Sequence, residues 1–257
     1  MMLHKTRLTL VASLLASLLM AGCEAQGDGE LSDGLDNNGN TTLFPNDGMA
    51  PTQVTDNGTA IAGSFICEGG IQAVTPNATT EVGSGGLVGG PLTNLLNLVG
   101  GDTVTQLLNS VSEKDAVIDN NLATFSTYSL TLGLLAVLNS VDLIVNANTE
   151  IQPGNFAVFA VRFPPGVVDA SLVNSLTVRT FLAGVQQEEL VTTQSSLDLL
   201  GLNVAGADRL FVGIKAAKRF DSASLSLRPN VLSANVGDAL YAHELCVRGR
   251  FVAAATP

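Results

Sequence analysis

The chain has 257 residues, with 12 Lys and Arg against 23 Asp and Glu, and its net charge of −11 disfavours nucleic acid and anionic lipid head groups as partners. Trp is absent and Tyr is limited to Tyr128 and Tyr241, which removes most of the aromatic platforms on which sugars and bases stack. Charged residues make up only 14%, amid abundant Val, Leu, Thr, Ser, Asn and Gly, a composition that fits an exported β-protein better than a helical cytosolic enzyme.

The chain opens on a short basic stretch with Lys5 and Arg7, then an apolar run from Leu8 to Ala21. That order is the pattern of a secretory signal peptide, and the run is about two-thirds of the ~20 residues a membrane-spanning helix needs. Its end, Leu19-Met20-Ala21-Gly22-Cys23, resembles the lipobox of bacterial lipoproteins. The resemblance implies that residues 1–22 are removed and that Cys23 becomes the acylated N-terminus, carrying palmitate-type chains. Glu24, in place of the Asp associated with inner-membrane retention in lipoproteins, implies an outer-membrane anchor. The alternative is an ordinary signal peptide with an incidental cysteine. Losing Lys5 and Arg7 leaves ten bases against 23 acids, a net −13, so membrane contact then rests on the lipid rather than on a basic patch.

Residues 23–59 are rich in Asp, Asn, Gly and Thr with scarcely any periodic apolar positions, and are expected to form a flexible acidic tether. Within it Asp36, Asn38 and Asn40 alternate as oxygen ligands do in calcium loops, and Asp47 falls at the twelfth position. Thr41, however, stands where the loop's sharp turn requires Gly, so a solvated linker is the better reading. The remaining residues, 60–257, form one domain large enough for a well-buried core.

With Cys23 acylated, Cys67 and Cys246 are left as a pair in an oxidising compartment. They are expected to form a disulfide between the first and last strands, closing a loop of about 180 residues worth about 5 kcal/mol on the chain-entropy model. Two buried free thiols are the alternative. Ile61–Cys67 and Ile71–Thr75 are expected strands, with a turn at Glu68-Gly69-Gly70. A Gly-rich stretch from Gly83 to Gly90 lacks the Lys-Ser/Thr ending of a phosphate loop. Pro91–Val99 and Val104–Val111 carry helical spacing and are expected to be short rim helices.

From Ala116 the sequence reads Ala-Val-Ile-Asp119-Asn120-Asn121-Leu122-Ala123-Thr124-Phe125, an apolar strand end followed by a turn-forming Asp-Asn-Asn. This resembles a jelly-roll β-sandwich domain of bacterial exported and surface-attached proteins. It is also related to the Asp-Gly-Asn-x-x-Thr-x-Trp segment of discoidin-like, galactose-binding-type domains, in which this loop helps to form a calcium or ligand site. Where that segment closes on Trp, this chain has Phe125. The resemblance extends over about residues 108–250, through Asn155–Val161, Asn174–Val185 and Phe211–Asp221, and makes Asp119, Asn120, Asn121 and Thr124 a candidate ligand or calcium loop.

Alternation says β independently of that resemblance. Leu176, Val178, Thr180 and Leu182 alternate with Thr177, Arg179 and Phe181, and Ala183-Gly184 turns the chain into Val185–Thr193. Leu210–Ala216, Ala223–Leu227 and Ala239–Phe251 are further strands, with Pro153, Pro164-Pro165 and Pro229 in the connections. The expected fold is all-β, a jelly-roll-like two-sheet antiparallel sandwich with short rim helices.

Chemistry is sparse. His4 leaves with the signal peptide, so a two-His metal site is excluded and a Ser-His-Asp triad would have to use His243, with Glu244 expected on the opposite strand face. Lys215, Lys218, Arg219 and Arg228 cluster around one turn and are expected to pair with local carboxylates rather than with an acidic partner. No catalytic group, cofactor or resident metal is expected. The expected role is a non-enzymatic outer-membrane lipoprotein with a structural, adhesive or partner-binding function, acting on an envelope protein or a surface polymer. The alternative is a carbohydrate- or calcium-dependent ligand-binding module, and an unrecognised hydrolase is the third reading.

Overall fold

The computed structural model describes residues 52–85, 101–131, 138, 140–164, 176–192, 209–228 and 237–252. Cys23, the Asp36–Asp47 pattern and the Pro91–Val99 segment lie outside the described residues. Thirteen strands occur among those described. The first six are β1 (Thr52–Asp56), β2 (Thr59–Ala60), β3 (Ser64–Gly70), β4 (Thr79–Gly83), β5 (Val111–Ser112) and β6 (Ser126–Leu130). Then come β7 (Val141–Ile151), β8 (Phe156–Arg162), β9 (Leu176–Leu182), β10 (Val185–Val191), β11 (Leu210–Lys215), β12 (Phe220–Leu227) and β13 (Gly237–Val252). One helix, α1 (Gly101–Leu108), buries Val104 and Leu107, as its apolar spacing predicts. None of the described helices is long and apolar enough to cross a membrane.

The strands form two sheets. The larger runs β2-β1-β11-β8-β13-β6-β5, with β3 also on β13, and the smaller runs β10-β9-β12-β7-β4. Pairing is antiparallel except that β1 lies parallel to β11. The all-β sandwich read from the sequence is therefore the fold. The sixteen-residue β13 organises it. Its first half pairs with β6 and its second half with β3 along one edge, while β8 runs along the other.

Between the sheets lies a core that includes Val145, Phe159, Val161, Val178, Val212, Leu225 and Leu245. The larger sheet is covered on its outer face too. There Phe65, Val158, Ala160, Phe211, Cys67 and Cys246 form a second apolar layer, in which Phe65 meets Phe156 at 5.0 Å and Phe211 at 5.4 Å. This double burial explains why Phe156–Val161 is a continuous apolar run rather than an alternating one. Cys67 and Cys246 are bonded across β3 and β13, with Cα atoms 5.7 Å apart, a separation ordinary for a disulfide.

Several local expectations give way. Thr52–Asp56 is already a strand, so the ordered domain begins before residue 60 and takes in the end of the segment expected to be tether. Cys67 therefore sits in the third strand, not the first. Glu68-Gly69-Gly70 continues that strand, and Ile71–Ala73, expected to be extended, forms a 3-10 turn. Lys114–Ile118 is also a 3-10 turn, entered through a left-handed Glu113. The Leu176–Leu182 and Val185–Val191 hairpin forms as its alternation and Ala-Gly turn predict. Of the basic cluster, Lys215 pairs with Asp56 and Arg219 with Glu150, each at 2.8 Å.

Candidate functional site

The Asp119–Thr124 loop is closed by its own short side chains. Asp119 Oδ1 accepts the Asn121 N–H at 2.8 Å, and Asn121 Oδ1 accepts the Ala123 N–H at 3.0 Å. The Thr124 hydroxyl lies 2.7 Å from Asp119 Oδ2 and 2.6 Å from the Asn121 carbonyl. Asn120 adopts φ +58°, a left-handed conformation that Asn tolerates better than other side-chain-bearing residues. All four loop residues singled out in the sequence thus share one tight turn that presents oxygens.

What holds this turn to the sandwich is a β-bulge in β13. The register with β8 slips between Ala242 and Glu244, so His243 and Glu244 reach the same loop rather than opposite faces. A bulge re-aims a side chain in this way without ending the ladder. His243 Nδ1 lies 2.8 Å from the Leu122 carbonyl and 3.0 Å from that of Thr124. Both partners are acceptors, so Nδ1 carries the proton and donates. The ring is buried, and this burial lowers its pKa to about 4, opposed by the Leu122 carbonyl and helped by the charges of Arg209 and Arg162. His243 is therefore neutral at pH 7 and is oriented by backbone carbonyls rather than by a carboxylate. The triad arrangement considered from the sequence does not form.

Glu244 is the residue that sequence reasoning missed. Its side chain is fully buried, and its Oε2 accepts the Asn120 N–H at 2.9 Å. Burial first, and then the charge of Asp119, push its carboxyl up to about 9, against the pull of the backbone N–H groups of Asn120, Ile71 and Asn121. Among the described residues, Glu244 Oε1 and Asn120 Oδ1 are buried without a hydrogen-bond partner. Both crowd the end of β3, where a Cβ at Gly70 would collide with Glu244 Oε1 and stand 2.6 Å from Asn120 Oδ1. The signal was present in the sequence: Glu244 interrupts an apolar strand between Ala242 and Cys246, and Glu is almost never fully buried without a partner.

Among the described residues no group of three or more His, Cys, Asp or Glu side chains gathers as a metal site, and this loop brings together two carboxyl groups, those of Asp119 and Glu244. Its available donors are carboxylate, amide, hydroxyl and carbonyl oxygens, the set that suits calcium and not zinc. A divalent cation at these oxygens would favour the ionised form of Glu244 against the burial, and secondarily the charge of Asp119, that hold it protonated. By donor type these residues are compatible with calcium, and Asp119, Asn120, Asn121, Thr124 and Glu244 are those that would supply its oxygens.

No family model and no curated protein matches the chain. Solved structures resemble it at low identity. CpGH89CBM32-6 from Clostridium perfringens is 8% identical, covers 70% of this chain and 98% of its own, and superposes with a TM-score of 0.37. The family 32 CBM from C. perfringens NanJ, solved in complex with galactose, is 13% identical with a TM-score of 0.34, over 66% of this chain and 92% of that one. The lectin domain of Lectinolysin, complexed with Lewis B antigen, is 11% identical with a TM-score of 0.35, over 67% and 92%. Likeness of this degree carries no functional argument, which has to come from the residues themselves.

Proposed function

We propose that this chain is a non-catalytic binding module of the bacterial cell envelope, anchored to the outer membrane through lipid on Cys23 and holding a surface polymer with a loop set by calcium. The observation that carries the calcium part is Glu244. Glu244 is a fully buried carboxyl that feels the charge of Asp119, and its Oε1 and the neighbouring Asn120 Oδ1 lack partners, two oxygens that a cation would complete. The reading as a binder rather than an enzyme is supported by His243, whose Nδ1 is committed to two backbone carbonyls. The acidic balance of the chain favours attachment by the lipid over attachment by charge.

Calcium titration followed by thermal melting tests the loop. Millimolar calcium is expected to raise the melting temperature of the wild type, an excess of EGTA to reverse the rise, and Glu244→Gln to abolish it. Identical melting with and without calcium would overturn the reading. The anchor is tested separately by Cys23→Ser, which is expected to move the protein from the detergent phase to the aqueous phase. No lipid on the wild-type N-terminus by mass spectrometry would remove that part.

A further inference from the structure

On the outer face of the larger sheet, beside the Asp119–Thr124 loop, lies a shelf of basic and aromatic side chains. Phe156, Val158 and Ala160 of β8 enter the outer apolar layer, and a period of two sends Arg162 to the same face. Tyr241 of β13 stands directly across from Arg162. Phe125, at the exit of the loop, packs on Tyr241 with ring centroids 4.5 Å apart. The Arg162 guanidinium sits over both rings, 5.3 Å from the centre of Tyr241 and 5.7 Å from that of Phe125. His243 completes the group, its ring 5.4 Å from that of Phe125. Arg162, Phe125 and Tyr241 are each half-buried, so part of the shelf meets solvent.

Two of these side chains carry unspent hydrogen-bonding groups. Lys114, Arg179, Lys215, Arg219 and Arg250 each pair with a carboxylate. Arg162 forms no such pair among the described residues. Stacking holds it instead, and its buried Nε–H has no acceptor. A guanidinium fixed in place without a counter-ion is preorganised to receive an anionic oxygen group, a planar carboxylate best of all. The second group is on His243. Its Nδ1–H is taken by the Leu122 and Thr124 carbonyls, so Nε2 keeps a lone pair, and that atom too is buried without a partner. The charges of both Arg162 and Arg209 act on this ring. Arg209 directly precedes Leu210, which pairs with Val161 of β8, so the register brings the two arginines side by side. The shelf is thus a basic spot on an acidic chain. A ligand that matches it brings an anionic group for Arg162, an apolar ring face for Phe125 and Tyr241, and a hydroxyl proton for His243.

We infer that this shelf is the polymer-binding subsite of the module and that it takes an acidic sugar. The ligand is a uronate whose carboxylate pairs with Arg162, whose ring lies on Phe125 and Tyr241, and one of whose hydroxyls donates to His243. The inference rests on the binding-module reading above and names its ligand. A neutral sugar leaves the guanidinium without a counter-charge, and an amino sugar is repelled by Arg162 and Arg209 together. His243 ties the shelf to the loop, since one ring both clamps the loop carbonyls and packs on Phe125.

The test is calorimetric titration of the full chain in calcium-containing buffer with glucuronate, galacturonate, methyl glucoside and glucosamine. At least one uronate is expected to bind about tenfold more tightly than methyl glucoside, as a hydrogen bond to a charged group allows, and glucosamine not at all. Raising the salt concentration is expected to weaken the uronate and to leave methyl glucoside unchanged. Arg162→Gln is expected to keep its calcium-dependent rise in melting temperature and to lose the preference for uronate, with Arg162→Lys restoring only part of it. Tyr241→Leu is expected to weaken uronate and methyl glucoside alike. Should Arg162→Gln fail to fold, the ranking of the four probes on the wild type still decides. No binding of either uronate, methyl glucoside binding as tightly as both, or uronate binding undiminished in Arg162→Gln would each overturn the inference. A wild type that responds to calcium yet ignores the uronates removes this inference alone, whereas one that ignores calcium removes the reading on which it rests.

Discussion

The loop beneath β13 and the cleft beside β7 are both made of Asp, Asn and hydroxyl residues, yet they are built in opposite senses. At the loop, the polar atoms left over are buried: Glu244 Oε1 and Asn120 Oδ1 sit inside the fold, two residues along β13 from a disulfide that is itself fully buried. At the cleft, between β7 and the β9–β10 turn, the polar side chains reach solvent, with Asp221 accepting from the Ala183 N–H and the Ser222 hydroxyl and Asn146 and Asn148 each donating within the protein. Burial keeps the Glu244 carboxyl protonated and so uncharged in the cation-free protein, whereas the exposed groups of the cleft are met by water. The first region is accordingly tied into the buried architecture, whereas the second stays in contact with water.

The largest expected effect breaks the architectural side. Replacing Cys67 and Cys246 together by Ala is expected to cost about 2–5 kcal/mol, which for a domain of this size lowers the melting temperature by about 5–15 °C. Since Cys246 and Cys67 fasten the strands that carry Glu244 and Gly70, calcium is expected to bind more weakly to that variant. Undiminished calcium binding would mean that the loop does not depend on this staple. Differential scanning calorimetry and calcium titration would distinguish these results.

Gly70→Ala probes the same floor on a smaller scale. The new methyl overlaps Glu244 Oε1 and Asn120 Oδ1, and overpacking of this kind costs about 1–3 kcal/mol. Its melting temperature is expected to fall and its calcium response to shrink, as read by melting with and without EGTA.

Acidity sharpens the contrast further. In calcium-free protein the Glu244 carboxyl is raised to about 9 from an ordinary 4.5. Its contribution to stability is thus complete below pH 4.5 and is lost as the pH rises towards 9. His243 is lowered to about 4 from 6.5, so its contribution is present above pH 6.5 and is lost as the pH falls towards 4. The two oppose each other between pH 4.5 and 6.5, and above 6.5 Glu244 acts alone. Melting temperatures in EGTA are expected to decline from pH 6.5 to 9. Added calcium, which favours the ionised carboxylate, is expected to flatten that decline and to raise the melting temperature more at pH 8 than at pH 5.5.

The smallest effect belongs to the cleft. Ala183 occupies a left-handed position at φ +50°, and relieving it with Gly is expected to raise stability by about 1 kcal/mol, the usual penalty for a side chain there. Urea unfolding would measure it, and calcium binding is expected not to change.

How much of this could be read from the chain follows from the range of the forces involved. The β9–β10 hairpin was legible because its alternation and its Ala183-Gly184 turn are local. The Asp119–Thr124 turn was legible because Asp and Asn bond their own backbone. The Cys67–Cys246 pairing followed from counting cysteines. Glu244 was misplaced because a period of two assigns it to the face opposite His243, and a bulge, invisible in that period, carries both to one loop. Glu68–Gly70 reads as a turn from composition alone, but β13 supplies a partner strand that overrides local preference. The cleft was illegible for a similar reason: it exists only because four residues of β7 face one of β12, a mismatch between strands distant in sequence.

The most direct test is the calcium content of the folded protein, by native mass spectrometry after equilibration with millimolar calcium and removal of the excess. One calcium per chain is expected for the wild type and none for Glu244→Gln, with both remaining cooperatively folded. A wild type that carries no calcium, or a Glu244→Gln protein that carries as much as the wild type, would contradict the account.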